Sequence, residues 1–540
     1  MGFCRRCGGV RGGGCHKELI LRGVRVGGLI LGVSVGVSGL QVPQETHYGR
    51  GQSWSRPLPA PETPTMTPTV TPTTASSLVS LCARRLAAHL PTARRALPLL
   101  PAELYPVLLH AALLDRRVPL LRDVVRSWPF PVLSLRRDPH RHPDKLCVQA
   151  VLLAVTAGLW SGTGPRPCLR VLDMTGIQDG AEHGPDGVTL WSGTVLLAKA
   201  CLEASQRRTE PRGAKRRKGS PVPPVEIRVD LFVNSTSGAI LKAALRSGGA
   251  VRLRCRDFHA EELSLGGTVD LLEALEPVGL RRVELRFNNL GLEGLCQVVP
   301  RLARFPDLAS VRLPYSNVDV RRPGTEDGLQ ELAEALGWLR GLRELNLGSC
   351  RLAGRLRLLL GSLQRPLESL ELPFCHLQPC DLTFLAHSPH ASALKKLDLS
   401  GNDLSSSLLP AFLHLLPAVS SSLRHLDMAE CHLGDAHLPI LLPPLRRCAL
   451  LSYLGLFGNA LSSKGLKVLL EGTLPLTSLR LVVHPYPIDC HGDDGDGDVP
   501  EGRVAAVRDE LRGMLRSAGR DEEMWTSSLH HHGGFDFFVL

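Results

Sequence analysis

Between Leu394 and Leu404 the chain reads LKKLDLSGNDL, with apolar side chains at Leu394, Leu397, Leu399 and Leu404 and an asparagine at Asn402. Leu397 and Leu399 alternate as on a short strand, so both point to one side while Lys396, Asp398 and Ser400 point to the other. Asn402 falls where the strand must turn, and a buried carboxamide there can satisfy backbone groups that no strand ladder reaches. One such unit cannot bury its own apolar face and requires copies on either side.

The copies are present. Leu280–Leu290 repeats the spacing with Asn288, and Leu451–Leu461 repeats it with Asn459. Leu342–Leu352, Leu367–Leu377 and Leu423–Leu433 do so with Cys350, Cys375 and Cys431 in the asparagine position. Leu308–Val318 is a weaker copy with Ser316, and Leu476, Leu479 and Leu481 form a truncated one. The first leucines stand 28, 34, 25, 27, 29, 28 and 25 residues apart, a length that suits one strand followed by one helix. The longest step carries a polar loop, Asp319–Asp327. The pattern is that of leucine-rich repeats. It predicts an α/β horseshoe of the ribonuclease-inhibitor type, with parallel strands inside, helices outside and an α-helical N-terminal cap.

In this register the inner face shows Arg282, Glu284 and Arg286, then Glu344, Asn346 and Gly348, then Ser369, Glu371 and Pro373. Lys396, Asp398 and Ser400 follow, then His425, Asp427 and Ala429, and lastly Tyr453, Gly455 and Phe457. A row of mixed charge suits a protein partner better than a phosphate backbone, and Tyr453 and Phe457 are its expected anchors.

Four segments are expected. Residues 1–76 are Gly/Cys-rich and then Pro/Thr-rich, the composition of a disordered extension. Their apolar run Leu19–Val42 is broken by Arg22 and Arg25, so no membrane span is expected. Residues 77–165 have helical spacing at Ser77–Leu90, Pro101–Leu114, Val118–Trp128 and Cys147–Leu159, as a helical cap would. Residues 166–485 are the solenoid, with early strands at Cys168–Ile177, Val225–Val233 and Val251–Phe258. A helix at Thr194–Ala204 and a disordered basic insertion at 206–222 lie between the first two. Residues 486–540 hold an acidic loop, a capping helix at Gly502–Ser517 and a tail.

Composition narrows the chemistry. The net charge is +11, but Gln206–Lys218 alone carries seven basic residues and one acidic, so the excess is local and nucleic-acid binding is not expected. Lys215–Lys218 could support a nuclear pool of an otherwise cytoplasmic protein. Fifteen cysteines, scattered and odd in number, fit a reducing compartment where cysteine serves as a small buried hydrophobe. No P-loop, GxGxxG, GxSxG or HExxH motif occurs, and no cysteine–histidine spacing matches a zinc site. The chain is expected to have no catalytic activity, metal or cofactor, and to be a monomer outside its complexes.

Outside the repeats, Leu78, Cys82 and Leu86 lie four residues apart after Ser77, a narrow stripe on one helix face. This resembles the elongin-binding box of cullin ubiquitin-ligase substrate receptors. Leu100, Pro101, Leu104 and Leu108 downstream resemble the accompanying cullin-2 box, although Pro106 departs from a continuous helix through it. The segment Leu99–Leu133 is similar to the start of the PRAME family of leucine-rich-repeat proteins. The similarity continues through LRVLDMTG, VDLFVN, VELRFNNLGLEGL and SPHASALKKLDLSGNDL to LVVHPYPIDC, and so covers the chain from Leu78 onward. The resemblance implies a cytoplasmic protein that restrains Toll-like-receptor and NF-κB signalling by engaging the IκB kinase complex. It also implies, as an alternative, a substrate receptor bound to elongin B/C and cullin-2.

Overall fold

The computed structural model describes residues 30–33, 77–138, 145–158, 168–177, 193–209, 224–248, 251–490, 501–520 and 524–527. They fall into two compact units, one spanning 30–138 and 142–173 and one running from Met174 onward.

The first unit is mainly helical, at Leu78–Ala88, Leu90–Ala96, Tyr105–Leu114, Val118–Arg126 and Lys145–Gly158. Ser77 caps the first helix, its hydroxyl accepting from the Ser80 amide at 3.2 Å. Pro91, Pro106 and Pro119 each stand in the first turn of a helix, where no amide hydrogen is needed. Pro106 therefore starts a helix and does not kink one. The expected helix from Pro101 is instead a 3₁₀ turn, Ala102–Leu104, followed by the α-helix from Tyr105. Leu108, Leu109, Leu120, Leu121 and Val151 are sealed in the core.

Two strands in this unit depart from the sequence expectation of a purely helical cap after a disordered extension. Pro129 and Pro131 end the preceding helix, and β2 (Val132–Asp138) follows, with Leu133 and Leu135 fully buried. It pairs in parallel with β3 (Val171–Asp173) and antiparallel with β1 (Ile30–Val33), which lies inside residues 1–76. The rest of residues 1–76, most of the acidic segment and the histidines at 530–532 lie outside the described residues.

The second unit is the leucine-rich-repeat solenoid. Its strands are β4 (Val225–Val233), β5 (Val251–Glu261), β6 (Arg282–Arg286), β7 (Ser310–Arg312), β8 (Glu344–Asn346) and β9 (Ser369–Glu371). They continue as β10 (Lys396–Asp398), β11 (His425–Asp427), β12 (Tyr453–Gly455), β13 (Leu481–Val483) and β14 (Met524–Thr526). They pair in parallel in sequence order. Helices alternate with them from Ser235–Arg246 to Ser463–Thr473. Leu397 and Leu399 are fully buried, as the alternation requires. At the C-terminal end Leu511 and Leu515 of the helix Glu501–Ser517 are buried, and β14 adds a strand after it that the sequence pattern does not announce.

Side-chain amides bind one repeat to the next. Asn402 accepts from the Leu377 amide of the preceding repeat at 3.2 Å and donates to Leu372 and Leu399 carbonyls at 2.9 and 2.8 Å. Asn459 accepts from the amides of Cys431 and Leu433 and donates to Met428 and Leu456. At Cys375 and Cys431, where cysteine replaces asparagine, the amide of the preceding repeat turns to the cysteine's own backbone carbonyl. Leu352 donates to Cys375 O at 3.0 Å and Leu404 to Cys431 O at 3.1 Å. The thiols still reach back, Cys375 to Leu347 O and Cys431 to Leu399 O.

This difference predicts unequal costs. Asn402→Ala strands buried backbone groups and should lower stability by roughly 1–3 kcal/mol. Cys431→Ala leaves the backbone bonds in place and should cost less, as a small loss of packing. Thermal melts of both variants check the order; equal or reversed costs would contradict it.

Candidate protein-recognition face

The residues expected on the inner face do line one side of β6–β12, but several are less available than a bare pattern suggests. Arg282, Glu344, Asn346 and Glu371 are buried, while Glu284, Arg286, Lys396, Asp398, His425, Asp427, Tyr453 and Phe457 are half-buried. They are linked across the strands. The Arg312 guanidinium lies 3.8 Å from Glu344 and 3.5 Å from Glu371, and Arg282 also approaches Glu344 at 3.8 Å. Glu371 is held by Lys396 at 3.0 Å and accepts from the Asn346 amide at 2.8 Å.

The row extends further than the best-matching repeats indicate. On β4 and β5 it continues with Arg228, Asp230, Phe232, Arg254, Arg256 and His259, and on β7 with Arg312. Asp230 accepts from Arg256 at 2.8 Å, and Phe232 stacks on His259 at 4.6 Å. The strict alternation of VEIRVDLFV was the signal for these positions, since every second residue from Val225 to Val233 is buried.

The two ends of the face differ electrostatically. Burial alone would raise the Glu284 carboxyl, but the His259 hydrogen bond and the charges of His259, Arg286 and Arg312 outweigh it and hold the group at about 2. At β10 and β11, Asp398 and Asp427 sit directly opposite each other. Burial, with the Asp427 and Glu371 carboxylates beside it, pushes Asp398 up to about 7, and burial also raises Asp427. Gly455 makes room for this pair, because a Cβ there would lie 2.3 Å from the Asp427 Oδ1. Tyr453 donates to Asp427 Oδ2 at 3.2 Å and stacks on His425 at 3.8 Å. Burial and Lys396 lower His425 to about 3, so its ring is neutral.

Residues 75–181 match the PRAME N-terminal domain and residues 244–538 the PRAME C-terminal domain. The chain belongs to the PRAME family. It is 48% identical over 508 residues to leucine-rich repeat-containing protein 14 of Xenopus laevis, covering 86% of this chain and all of that protein. To the Homo sapiens protein of the same name it is 44% identical over 499 residues, with 86% and 100% covered. Among solved structures it is similar to the leucine-rich repeat-containing protein LegL7 from Legionella pneumophila, with TM-score 0.34 and 16% identity over 63% of this chain and 98% of that one.

In this PRAME-family chain the two box sequences lie in the first unit. Leu78 is 76% exposed, Cys82 is exposed and Leu86 is half-buried, so the stripe on helix Leu78–Ala88 faces solvent. Ser77 is occupied in capping that helix. Of the second box, Pro101 is exposed, Leu100 and Leu104 are half-buried, and Leu108 belongs to the core. Lys215–Lys218 lie outside the described residues. Among the described residues no group of three metal-binding side chains converges, and no helix is long and apolar enough to cross a membrane.

The carboxylate pair predicts a pH dependence of definite sign. Asp398 has a folded-state pKa above its ordinary value, so between pH 4 and 7 the native state binds more protons than the unfolded chain and stability falls as pH rises. Asp398→Asn should remove this loss and raise stability at neutral pH by roughly 2–4 kcal/mol, with little gain near pH 4. Glu284 acts oppositely, since its lowered pKa supplies stability above its unfolded value that is lost as pH falls toward 2. Denaturant titrations at several pH values measure both; an Asp398→Asn gain that did not grow with pH would refute the assignment.

Proposed function

We propose that the chain is a non-catalytic recognition adaptor whose inner repeat face holds a protein target. The observation that carries this reading is the polar row from β4 to β12, cross-linked from strand to strand. Such linking fixes side chains before a partner arrives and so reduces the ordering cost of binding. Resemblance to the family supports the IκB kinase complex as that target, and with it restraint of Toll-like-receptor and NF-κB signalling. Every described cysteine is a free thiol, which supports a cytoplasmic setting. The test is co-precipitation of the kinase subunits with the full chain and with Lys396→Glu/Phe457→Ala. The parent should recover the complex and the variant should lose at least about tenfold, the scale of one interface hot spot. Undiminished recovery by a folded variant would remove the inner face from the reading.

A second reading is favoured by a separate observation, the exposed Leu78–Cys82 stripe. It is the surface that a ligase substrate receptor would offer to elongin B/C, with cullin-2 contacting the segment from Leu100. The two readings are compatible, since one places the target on the repeats and the other places the ligase on the helical unit. Leu78→Glu/Cys82→Glu should abolish elongin and cullin-2 recovery with an unchanged thermal midpoint, because both side chains already face water. Cullin-2 recovery by the soluble double variant would end this reading.

A further inference from the structure

One backbone position just past each strand is left-handed through eight successive repeats. Glu262, Phe287, Tyr315, Ser349, Phe374, Gly401, Glu430 and Gly458 have φ between 54° and 70°. This region crowds a Cβ against the neighbouring carbonyl, and a residue other than glycine costs on the order of 1 kcal/mol there. Glycine nonetheless occupies only two of the eight positions. Gly401 is one of them because the Phe374 ring lies over it, 2.1 Å from where a Cβ would stand.

Three of the other positions carry aromatic rings. Phe287 and Tyr315 stack at 4.5 Å with 20° between their planes, both half-buried, and Phe374 is 42% exposed. Rings held on strained backbone and left partly in solvent contribute little to the core. Arg286 precedes Phe287 in the chain, and its Nε is buried without an acceptor. Its carboxylate partner Glu284, at 3.4 Å, is shared with His259, also at 3.4 Å. Against the burial that would raise it, the His259 hydrogen bond and the charges of His259, Arg286 and Arg312 lower the Glu284 pKa at this end of the face.

We propose that the Phe287–Tyr315 stack and Arg286 form the docking site for an acidic segment of a protein partner. An aromatic or branched apolar side chain of that segment would seat on the rings. The proposal rests on reading the inner face as a recognition surface and names the chemistry that one end of it accepts. Arg286 takes a carboxylate of the segment, and the rings take the neighbouring apolar side chain, a pairing of the residue types that dominate interface energies. Phe374 lies two repeats beyond Tyr315, about 10 Å along the rim at one strand spacing per repeat, which is about three residues of extended peptide. A second apolar side chain at that interval would reach it.

The experiment is a fluorescence-anisotropy titration of the full chain with a labelled random glutamate–tyrosine copolymer. A glutamate homopolymer and a lysine–tyrosine copolymer are run beside it. The homopolymer reports binding to the basic segment Gln206–Lys218, so the difference between the two acidic probes reads the ring site. The glutamate–tyrosine copolymer should bind at least about tenfold tighter than either other probe. Phe287→Asn/Tyr315→Asn should erase that difference while the protein stays folded, because asparagine tolerates left-handed backbone. Arg286→Gln, which leaves both rings, should weaken the copolymer separately and so decides the matter if the double variant does not fold. Binding unchanged by Arg286→Gln, or equal affinity for the three probes, would overturn the proposal. Either result would leave kinase-complex recovery by the inner face untouched.

Discussion

Backbone amides at the end of each strand have to be satisfied inside a core made of leucine, and this constraint shapes the whole solenoid. Once a strand turns, its ladder stops, yet Leu377, Cys431 and Leu433 remain buried. A carboxamide reaching back from the next repeat serves their N–H groups and two carbonyls together, so each asparagine belongs to two repeats at once. Cysteine can take that position because a backbone carbonyl then receives the preceding amide and the thiol needs one weak acceptor. Repeat-to-repeat bonding of this kind fixes the register, and the register fixes which side chains reach the inner face.

Much of this is legible in the sequence because the period is strict where the asparagine or cysteine stands. Leu397, Leu399 and Asn402 could be placed before any coordinate. The strand β2 is harder to see, because Pro129 and Pro131 read as the end of a helix and the short run VLSL after them carries no repeat partner with the full spacing. Strand β14 is equally hidden, since three residues beyond an amphipathic helix carry no period. The inner face was legible as positions but not as availability. Glu344 reads as a surface acid, yet it is 1% exposed, with Arg282 and Arg312 each 3.8 Å away. Pairing of that kind depends on side chains one and two strands away, which a repeat pattern does not encode.

The face is therefore not uniform. Arginines surround Glu284 at β5–β7, whereas two aspartates face each other at β10 and β11, where burial outweighs their hydrogen bonds. The first arrangement keeps a carboxylate ionised. The second holds a proton near neutrality and carries an unfavourable folding term, the kind of local cost found where a surface serves binding more than stability. Membership of the PRAME family and the leucine-rich-repeat architecture agree with a molecule that recognises proteins, while the helical unit displays a separate apolar stripe at Leu78 and Cys82.

Native-state amide hydrogen exchange tests the central physical claim most directly, because it reads the individual N–H groups that the asparagines are said to hold. The amides of Leu377, Cys431 and Leu433 should exchange as slowly as those in the middle of the strands, opening only with the solenoid itself. Exchange of these three amides at the fast rate of exposed turns, with neighbouring strand amides still protected, would contradict the account.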